Sequence, residues 1–465
     1  MLLMKNYSYI DLFSGAGGVT IGFSDQDFEL LLANDIEKSA LDTLKHNLSI
    51  THPDIDLNRV VLGDIKELYE LLELSPVEYE YEGYKTIKTN KEVDLKSKTS
   101  DVKEHLGVDN LLRDIDMVDV LVGGPPCQGF SMIGRSKKAT IEERVVGFID
   151  DPRNQLFKYF LKFAEKYNPK LVLIENVKGL NSALKYRDLI ESSLSNTGSG
   201  YNVFSKIINV RDFGIPQNRE RIFFIGVRND LAQSVTGDEI FKKLDAYKVE
   251  SPINVQMAIG DLPSLIANPK RNNYDEKTEV NYGESNCFGM NISNKSYKEL
   301  VGERNEYVKG INFIKNREML PNYLFNHKTR FQNKNDLFIF ENLVAGKYLN
   351  DKENSKALSK VKYGVVKENG KKKVKSFSDK YFKLDFSKPS KTILAHLETD
   401  GNSYVHPVNP PRSLTPREAA RIQSFPDWYF FKGTTRNQFK QIGNAVPPMM
   451  AKIFAKEFKK VLNNL

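Results

Sequence analysis

The run Tyr9-Ile10-Asp11-Leu12-Phe13-Ser14-Gly15-Ala16-Gly17-Gly18 decides the fold of this chain. A short apolar segment breaks directly into glycines, and Ile21 and Phe23 follow in an expected helix. Glycines just after a first strand let the backbone turn tightly and come close to a ligand. Working outward, Leu30-Leu31-Leu32-Ala33 reads as a second strand ending at Asn34-Asp35, and a helix is expected over about residues 37–47. Val60-Val61-Leu62 then runs into Gly63-Asp64, and further strands are expected at 118–122, 171–174, 203–210 and 221–227. Apolar runs of this length, separated by helical patterns, predict parallel strands covered on both faces. The last two flank Asp212-Phe213-Gly214-Ile215-Pro216 and can instead form an antiparallel pair. The expected fold class is α/β, a doubly wound and mostly parallel sheet.

The rhythm is interrupted twice. Residues 75–107 are rich in Lys, Glu and Tyr with little apolar periodicity, and read as a solvated surface insertion. Residues 231–411 are rich in Asn, Lys, Tyr and Phe, lack the strand–helix alternation, and read as a second, smaller domain. Within them, Lys367-Glu368-Asn369-Gly370-Lys371 predicts a tight hairpin. Thr415-Pro416-Arg417-Glu418 then predicts a capping box with Pro at the first helical position, opening a helix that stops before Pro426. A last amphipathic helix follows Pro447-Pro448 and carries Met449, Ile453, Phe454, Phe458 and Val461.

The 465 residues carry a formal charge of +8, and excess Lys and Arg favours a polyanion, nucleic acid first, although a generally basic surface explains the charge equally well. The two cysteines, Cys127 and Cys287, make neither a disulfide framework nor a zinc site, and the six histidines are scattered, so no metal is expected. The opening MLLMKNYSYIDLF lacks the pattern of a signal peptide, and no apolar run reaches the ~18 residues of a membrane span. A cytoplasmic protein without a membrane partner is expected.

Acidic residues stand at two strand ends. Asp35 can accept hydrogen bonds from ribose hydroxyls, and Asp64 from an adenine amino group. The glycines do not have G-x-G-x-x-G spacing and no phosphate-loop Lys-Ser/Thr is present, so a nucleoside ligand without phosphates fits best. A second constellation is Gly123-Gly124-Pro125-Pro126-Cys127-Gln128-Gly129-Phe130-Ser131. Two prolines forbid helix and stiffen the turn that carries the sulfur. A lone cysteine is usually a small buried hydrophobe, but packing alone does not need such a platform. An attacking thiol must be deprotonated, and Arg219 and Arg221 could supply the positive charge. Glu175, directly after Leu171-Val172-Leu173-Ile174, is costly to bury without a task, and partial burial would suit it to proton donation. A helix-capping or salt-bridged glutamate remains the plainer alternative.

These segments together resemble the DNA cytosine-5 methyltransferase family. The ordered motifs are Asp11 to Gly18, Gly63-Asp64-Ile65, Pro125-Pro126-Cys127-Gln128, Glu175-Asn176-Val177, Gln217 to Arg221, Arg412 to Pro426, and Gln441-Ile442-Gly443-Asn444-Ala445-Val446-Pro447-Pro448. Seven motifs in family order run almost from end to end. The resemblance implies the methyltransferase type of the expected fold and methyl transfer from S-adenosyl-methionine to C5 of a cytosine in double-stranded DNA. It implies that Cys127 adds to C6, that Glu175 holds or protonates N3, that Arg221 contacts the O2 side, and that Arg219 supports this site. Around the cofactor it implies Phe13, Gly15, Gly17, Gly18, Asp35, Ile36, Asp64, Ile65, Pro126 and Asn444. The reacting base must leave the stacked duplex, and 131–150 is the expected closing loop. The implied division is a catalytic domain over 1–230, a variable target-recognition domain over 231–411, a hinge over 412–435 and a C-terminal part, 436–465, returning to the first domain. A monomer is expected, paired functionally with a restriction endonuclease in the common setting of the family.

Lys371, Lys372, Lys373, Lys375 and Lys380 beside the expected hairpin could contact phosphates, or form a solvated face. Two departures from the family stand out: a longer gap between Asp64 and Pro125, and Asp at position 35 where many members carry Glu. Rival readings are a transfer-RNA methylating relative, which Gln128-Gly129-Phe130-Ser131 and the long variable region disfavour, and a catalytically dead DNA-binding relative, which intact Cys127, Glu175 and Arg221 disfavour.

Overall fold

The glycine turn stands at the reversal point of a seven-stranded sheet. In the computed structural model, residues 7–73, 77–81, 84–88, 115, 117–126, 155–178, 184–268, 270, 296–315, 317–362, 365–368, 371–374 and 380–465 are described. Cys127, the expected closing loop 131–150, Asn369-Gly370 and most of the 75–107 insertion lie outside the described residues. The chain divides into two compact units. One comprises Met1–Asn209, Glu220–Lys248 and Met450–Leu465; the other comprises Val210–Arg219 and Val249–Met449.

The first unit holds the sheet. Its strands are β1 (Ser8–Leu12), β2 (Glu29–Asp35), β3 (Val60–Leu62), β6 (Val120–Gly123), β7 (Leu171–Val177), β8 (Tyr201–Asn209) and β10 (Glu220–Arg228), in the order β3-β2-β1-β6-β7-β10-β8. The first five in that order run parallel. β10 is antiparallel to both β7 and β8, so the antiparallel option read from the sequence is the one adopted. The doubly wound, mostly parallel sheet expected from the sequence is therefore present. Its apolar runs are buried because both faces are covered: Ile10, Leu12, Leu32, Phe160, Phe163, Val172, Ile174 and Phe224 share one core cluster. In such sheets the ligand crevice opens at the carboxyl ends of the strands, where the order reverses. Here that place is the end of β1, flanked by β2 and β6.

Inside the insertion, β4 (Val77–Tyr81) and β5 (Tyr84–Lys88) form an antiparallel pair that the sequence pattern did not announce. The final helix, Pro448–Asn463, supplies Phe454 against Phe223 with ring centroids 4.9 Å apart, and Phe458 against Phe23 at 6.2 Å. Gly22 is needed beneath it: a Cβ there would stand 2.6 Å from that of Ala451.

The second unit has short elements around polar as well as apolar centres. β9 (Gln217–Asn218) pairs in parallel with β15 (Ser390–Lys391), whereas β11 (Phe313–Ile314) pairs antiparallel with β12 (Arg317–Glu318), and β13 (Val365–Glu368) pairs with β14 (Lys371–Val374). The last pair is antiparallel and brackets Asn369-Gly370, as the hairpin reading requires. The helix Pro416–Ile422 begins as expected: Glu418 N donates to Thr415 Oγ1 at 3.2 Å, Thr415 N donates to Glu418 Oε2 at 2.8 Å, and Pro416 occupies the first turn. Its polar residues are deeply buried. Arg421 donates to both carboxylate oxygens of Asp427, and Arg412 to both of Glu418. Among the described residues, no helix is long and apolar enough to cross a membrane.

Candidate active site

Two groups of strand ends in the first unit gather most of the candidate residues. At the first, β1 passes into its turn through Phe13 and Gly15, both with positive φ (61° and 54°), and Gly17 (80°) caps the helix Gly18–Ser24. Glycine tolerates this geometry where other residues are strained. A Cβ at Gly15 would meet nothing within 4 Å, so the turn faces open space. Asp35, ending β2, ties this turn down: Gly15 N donates to Oδ2 at 2.8 Å and Glu37 N to Oδ1 at 2.8 Å. Burial raises the Asp35 carboxyl above its ordinary range, while those two N–H groups work against the rise. Each oxygen keeps a further lone pair for an incoming hydroxyl.

Ile36 follows with its side chain 66% exposed, a large apolar surface presented beside Asp35. Asp64 ends the next strand connection and accepts from Lys66 N at 2.9 Å at the start of the helix Ile65–Glu73. Ile65 behaves differently from Ile36: its side chain belongs to the buried core. Beneath the turn lies a group that the sequence reading used only as part of a motif. Asp11 is buried and accepts from Thr20 Oγ1 at 2.6 Å. Burial, with Asp35's charge adding to it, pushes its carboxyl up to about 7 against the opposing Thr20 bond.

The second group lies where β6, β7 and β10 meet. Antiparallel register sets Arg221 opposite Val177 and Phe223 opposite Glu175, so Glu175 and Arg221 project from one face on neighbouring strands. The Arg221 Nε–Glu175 Oε1 distance is 2.9 Å, and the two side chains retain 12% and 16% of their surface. Arg221 Nη1 donates to Glu220 O at 2.8 Å. Glu175 Oε1, held in this ion pair, is buried and accepts no hydrogen bond of good geometry among the described residues. On the neighbouring β6 side, a Cβ at Gly124 would stand 3.5 Å from Glu175 Oε2. Asn176 Nδ2 donates to Pro125 O at 3.3 Å, and Asn176 Oδ1 accepts from Val177 N at 2.8 Å. This buried amide fastens the start of the proline turn beside Glu175. Pro126 is exposed at the end of the described segment.

Sequence reasoning gave roles to Glu175 and Arg221 and quoted Gly124 and Asn176 only as members of motifs, without a role. Their adjacency to Pro125 and Glu175 was the available signal. A further charged pair, Lys178–Glu220, joins the same two strands at the surface.

Arg219 and Asn444 belong to the second unit. Arg219 is buried there and donates to the carbonyls of Ile393, Gly443 and Ala445. Asn444 is exposed at the end of the helix Thr435–Asn444. His327 and His406 are also buried in this unit. Desolvation lowers them to about 4 and about 3 respectively, so both are neutral near pH 7.

The family model for C-5 cytosine-specific DNA methylase matches residues 7–76 and 73–460. The chain is 30% identical over 482 aligned residues to the Type II methyltransferase M.Bpa9945I of Bacillus paralicheniformis, covering 98% of this chain and 99% of that one. It is 29% identical to the Type II methyltransferase M.AgeI of Thalassovita gelatinovora, with 97% and 98% covered. Among solved structures, a prophage-encoded E. coli protein described as a DNA modification methyltransferase superposes with a TM-score of 0.59 at 23% identity, covering 98% of this chain and 100% of that one, a likeness of fold. The chain belongs to the C-5 cytosine-specific DNA methylase family and is a DNA cytosine methyltransferase.

Proposed function

We propose that the protein transfers a methyl group from S-adenosyl-methionine to C5 of a cytosine flipped out of double-stranded DNA, with Cys127 as the covalent nucleophile. The observation that carries this reading is the Glu175–Arg221 pair beside the proline turn, where among the described residues Glu175 Oε1 has the ion pair with Arg221 but no well-aligned donor. Cys127 follows that turn by one residue after Pro126.

In the proposed reaction the Cys127 thiolate forms a bond to C6 of the ring. Glu175 delivers a proton to N3, and Arg221 fixes the ring through its O2 side, so the ring's electron density moves to C5. The cofactor supplies the methyl group that C5 then takes. Loss of the C5 proton to solvent and return of the N3 proton to Glu175 let the S–C6 bond break and the sulfur leave as thiolate. The work is divided into steps, each easier than direct substitution on an aromatic carbon. A base in a duplex cannot present C6 to a thiolate, which is why extrusion belongs to the proposal.

The first strand-end group suits the cofactor. Phe13, Gly15, Gly17 and Gly18 would let it approach the backbone, Asp35 would receive the ribose hydroxyls, and Ile36 would cover one face of the adenine. Asp64 and the backbone of Ile65 would meet its edge, with Pro126 and Asn444 as the remaining contacts. The open space at Gly15 and the exposed Ile36 support this fit.

Residues 231–411 would choose the target sequence, and the Type II names of the relatives support a role in protecting DNA from a paired endonuclease. We further read the protein as a cytoplasmic monomer. Cys127→Ser should abolish methyl transfer to tritium-assayed duplex DNA while leaving cofactor binding nearly intact. Normal turnover in that variant would refute the covalent step. Bisulfite sequencing of DNA from expressing cells should reveal a modified cytosine in one fixed context, and activity on transfer RNA alone would overturn the DNA assignment.

A further inference from the structure

One guanidinium in the second unit holds together two segments distant in sequence. Arg219 Nη1 donates to Ile393 O at 2.9 Å and to Gly443 O at 3.3 Å, and its Nη2 donates to Ala445 O at 3.1 Å. Two buried amides, with Gln217 Nε2 donating to Gln423 Oε1, relay the same linkage. Gln217 Oε1 accepts from Ile393 N at 3.0 Å, and Gln217 Nε2 donates to Ile422 O at 3.1 Å. Gln423 Nε2 donates to Ile442 O and Ala445 O, both at 2.9 Å. The segments also approach too closely for any side chain between them: a Cβ on Gly443 would stand 2.2 Å from Ala395 N and from Leu394 C. Asn444 sits between the two carbonyls of this turn that Arg219 holds.

Physical chemistry favours arginine for this task. Carbonyls in the last turn of a helix lack intrahelical partners and must be satisfied otherwise. A planar guanidinium offers five donors in fixed directions, whereas a lysine ammonium is a single flexible point. Arg219 can therefore define the separation of three carbonyls, which lysine cannot.

We infer that Arg219 is a positioning residue that sets the Asn444 turn in register with Ile393, so that the variable region fixes how Asn444 is presented. The inference rests on the reading of Asn444 as cofactor-facing. It differs from a role for Arg219 at the reacting base, because Arg219 acts here through the turn and not on the pyrimidine.

A double-mutant cycle in the full-length protein separates these roles, with S-adenosyl-methionine and duplex DNA as substrates and thermal unfolding as the folding control. Arg219→Lys should raise KM for the cofactor about tenfold, in line with the loss of buried hydrogen bonds, while kcat falls by a smaller factor. Asn444→Ala should raise the same KM, and the double variant should be no worse than the more affected single variant, because both act through one contact. Gly443→Ala, which presses on the turn from its other side, should reproduce the Arg219→Lys effect and serves as the alternative arm if Arg219→Lys fails to fold. A fall in kcat with KM unchanged, or strictly additive effects on KM, overturns the inference. An unchanged KM in Asn444→Ala overturns the reading of Asn444 and the inference with it, whereas a raised KM in Asn444→Ala alone overturns only the inference.

Discussion

The two units treat charge in opposite ways. In the first, Arg221 and Glu175 keep 12% and 16% of their side-chain surface, and among the described residues one carboxylate oxygen lacks a well-aligned donor. In the second, Arg421 and Asp427 are wholly buried, and each carboxylate oxygen of Asp427 receives a guanidinium N–H. Among the described residues, the largest fully buried side chains include Arg219, Arg412, Arg417 and Arg421, all in the second unit. Burial alone would raise the Asp427 carboxyl, but Arg421 outweighs it and holds it at about 2. Burial would likewise raise Glu418, and Arg412 holds it well below its usual range. A fully satisfied buried pair has no capacity left for a substrate and acts as structure. An incompletely satisfied pair at a strand end keeps that capacity.

Substitutions can break this contrast. Glu175→Gln should lower kcat by about 10²–10⁴-fold, the usual scale for a lost general acid, with little change in thermal stability. A large loss of stability with normal single-turnover rates would place Glu175 with the structural pairs. Arg421→Met should do the reverse and cost about 3–5 kcal/mol in denaturant unfolding, because Asp261 and Asp427 would lose the cation they share, leaving Asp427, among the described residues, only the Arg417 cation at 3.9 Å. An unchanged unfolding midpoint would show that the network is dispensable.

The contrast extends to pH. Asp11, raised to about 7 when folded, holds a proton that the unfolded chain has released. Its contribution to stability therefore falls as pH climbs from about 4 to about 7, by roughly 4 kcal/mol at most for a shift of that size. His327 and His406 are depressed to about 4 and about 3. Their contribution is complete above the unfolded value of about 6.5 and is lost as pH falls below it. Asp11→Asn, which can still accept from Thr20, should flatten the decline toward pH 7 relative to the parent. His406→Asn, whose amide oxygen can accept from Val408 N, should reduce the loss toward pH 4. Melting curves between pH 4 and 8 test both, and parallel curves for parent and variants would remove the assigned linkage. The smallest effect is expected at the surface: Lys178→Ala should shift stability by less than about 1 kcal/mol, since exposed ion pairs contribute little. A larger loss would make that pair part of the Glu175–Arg221 support.

Much of the fold was legible because its signals are local. The glycine turn, the apolar runs, the capping box at Thr415 and the final helix each depend on residues within one or two turns of chain. Glu175 was legible as a candidate because a carboxyl directly after four apolar residues is conspicuous. Its partner was not legible from local pattern: Arg219 and Arg221 lie two residues apart in one motif, and only the family resemblance gave them different roles. The structure separates them. Arg221 projects beside Glu175 from β10, while Arg219 turns into the carbonyls of Ile393, Gly443 and Ala445. Ile36 and Ile65 show the same limit, for both follow an aspartate at a strand end, yet one is exposed and the other is core.

By itself the sequence determined the strand–turn–helix order, the stiff proline turn before Cys127 and the family chemistry that its motifs imply. Backbone sterics, capping and apolar spacing act over short stretches of chain, so each can be read where it stands. Only the tertiary structure decided which arginine meets Glu175, that Asp11 is buried near Asp35, and that Gly443 must leave room for Leu394 and Ala395. Those outcomes depend on strand order, antiparallel register and close packing between segments far apart in the chain, and a charged or small residue carries no local mark of the neighbour that packing will bring to it.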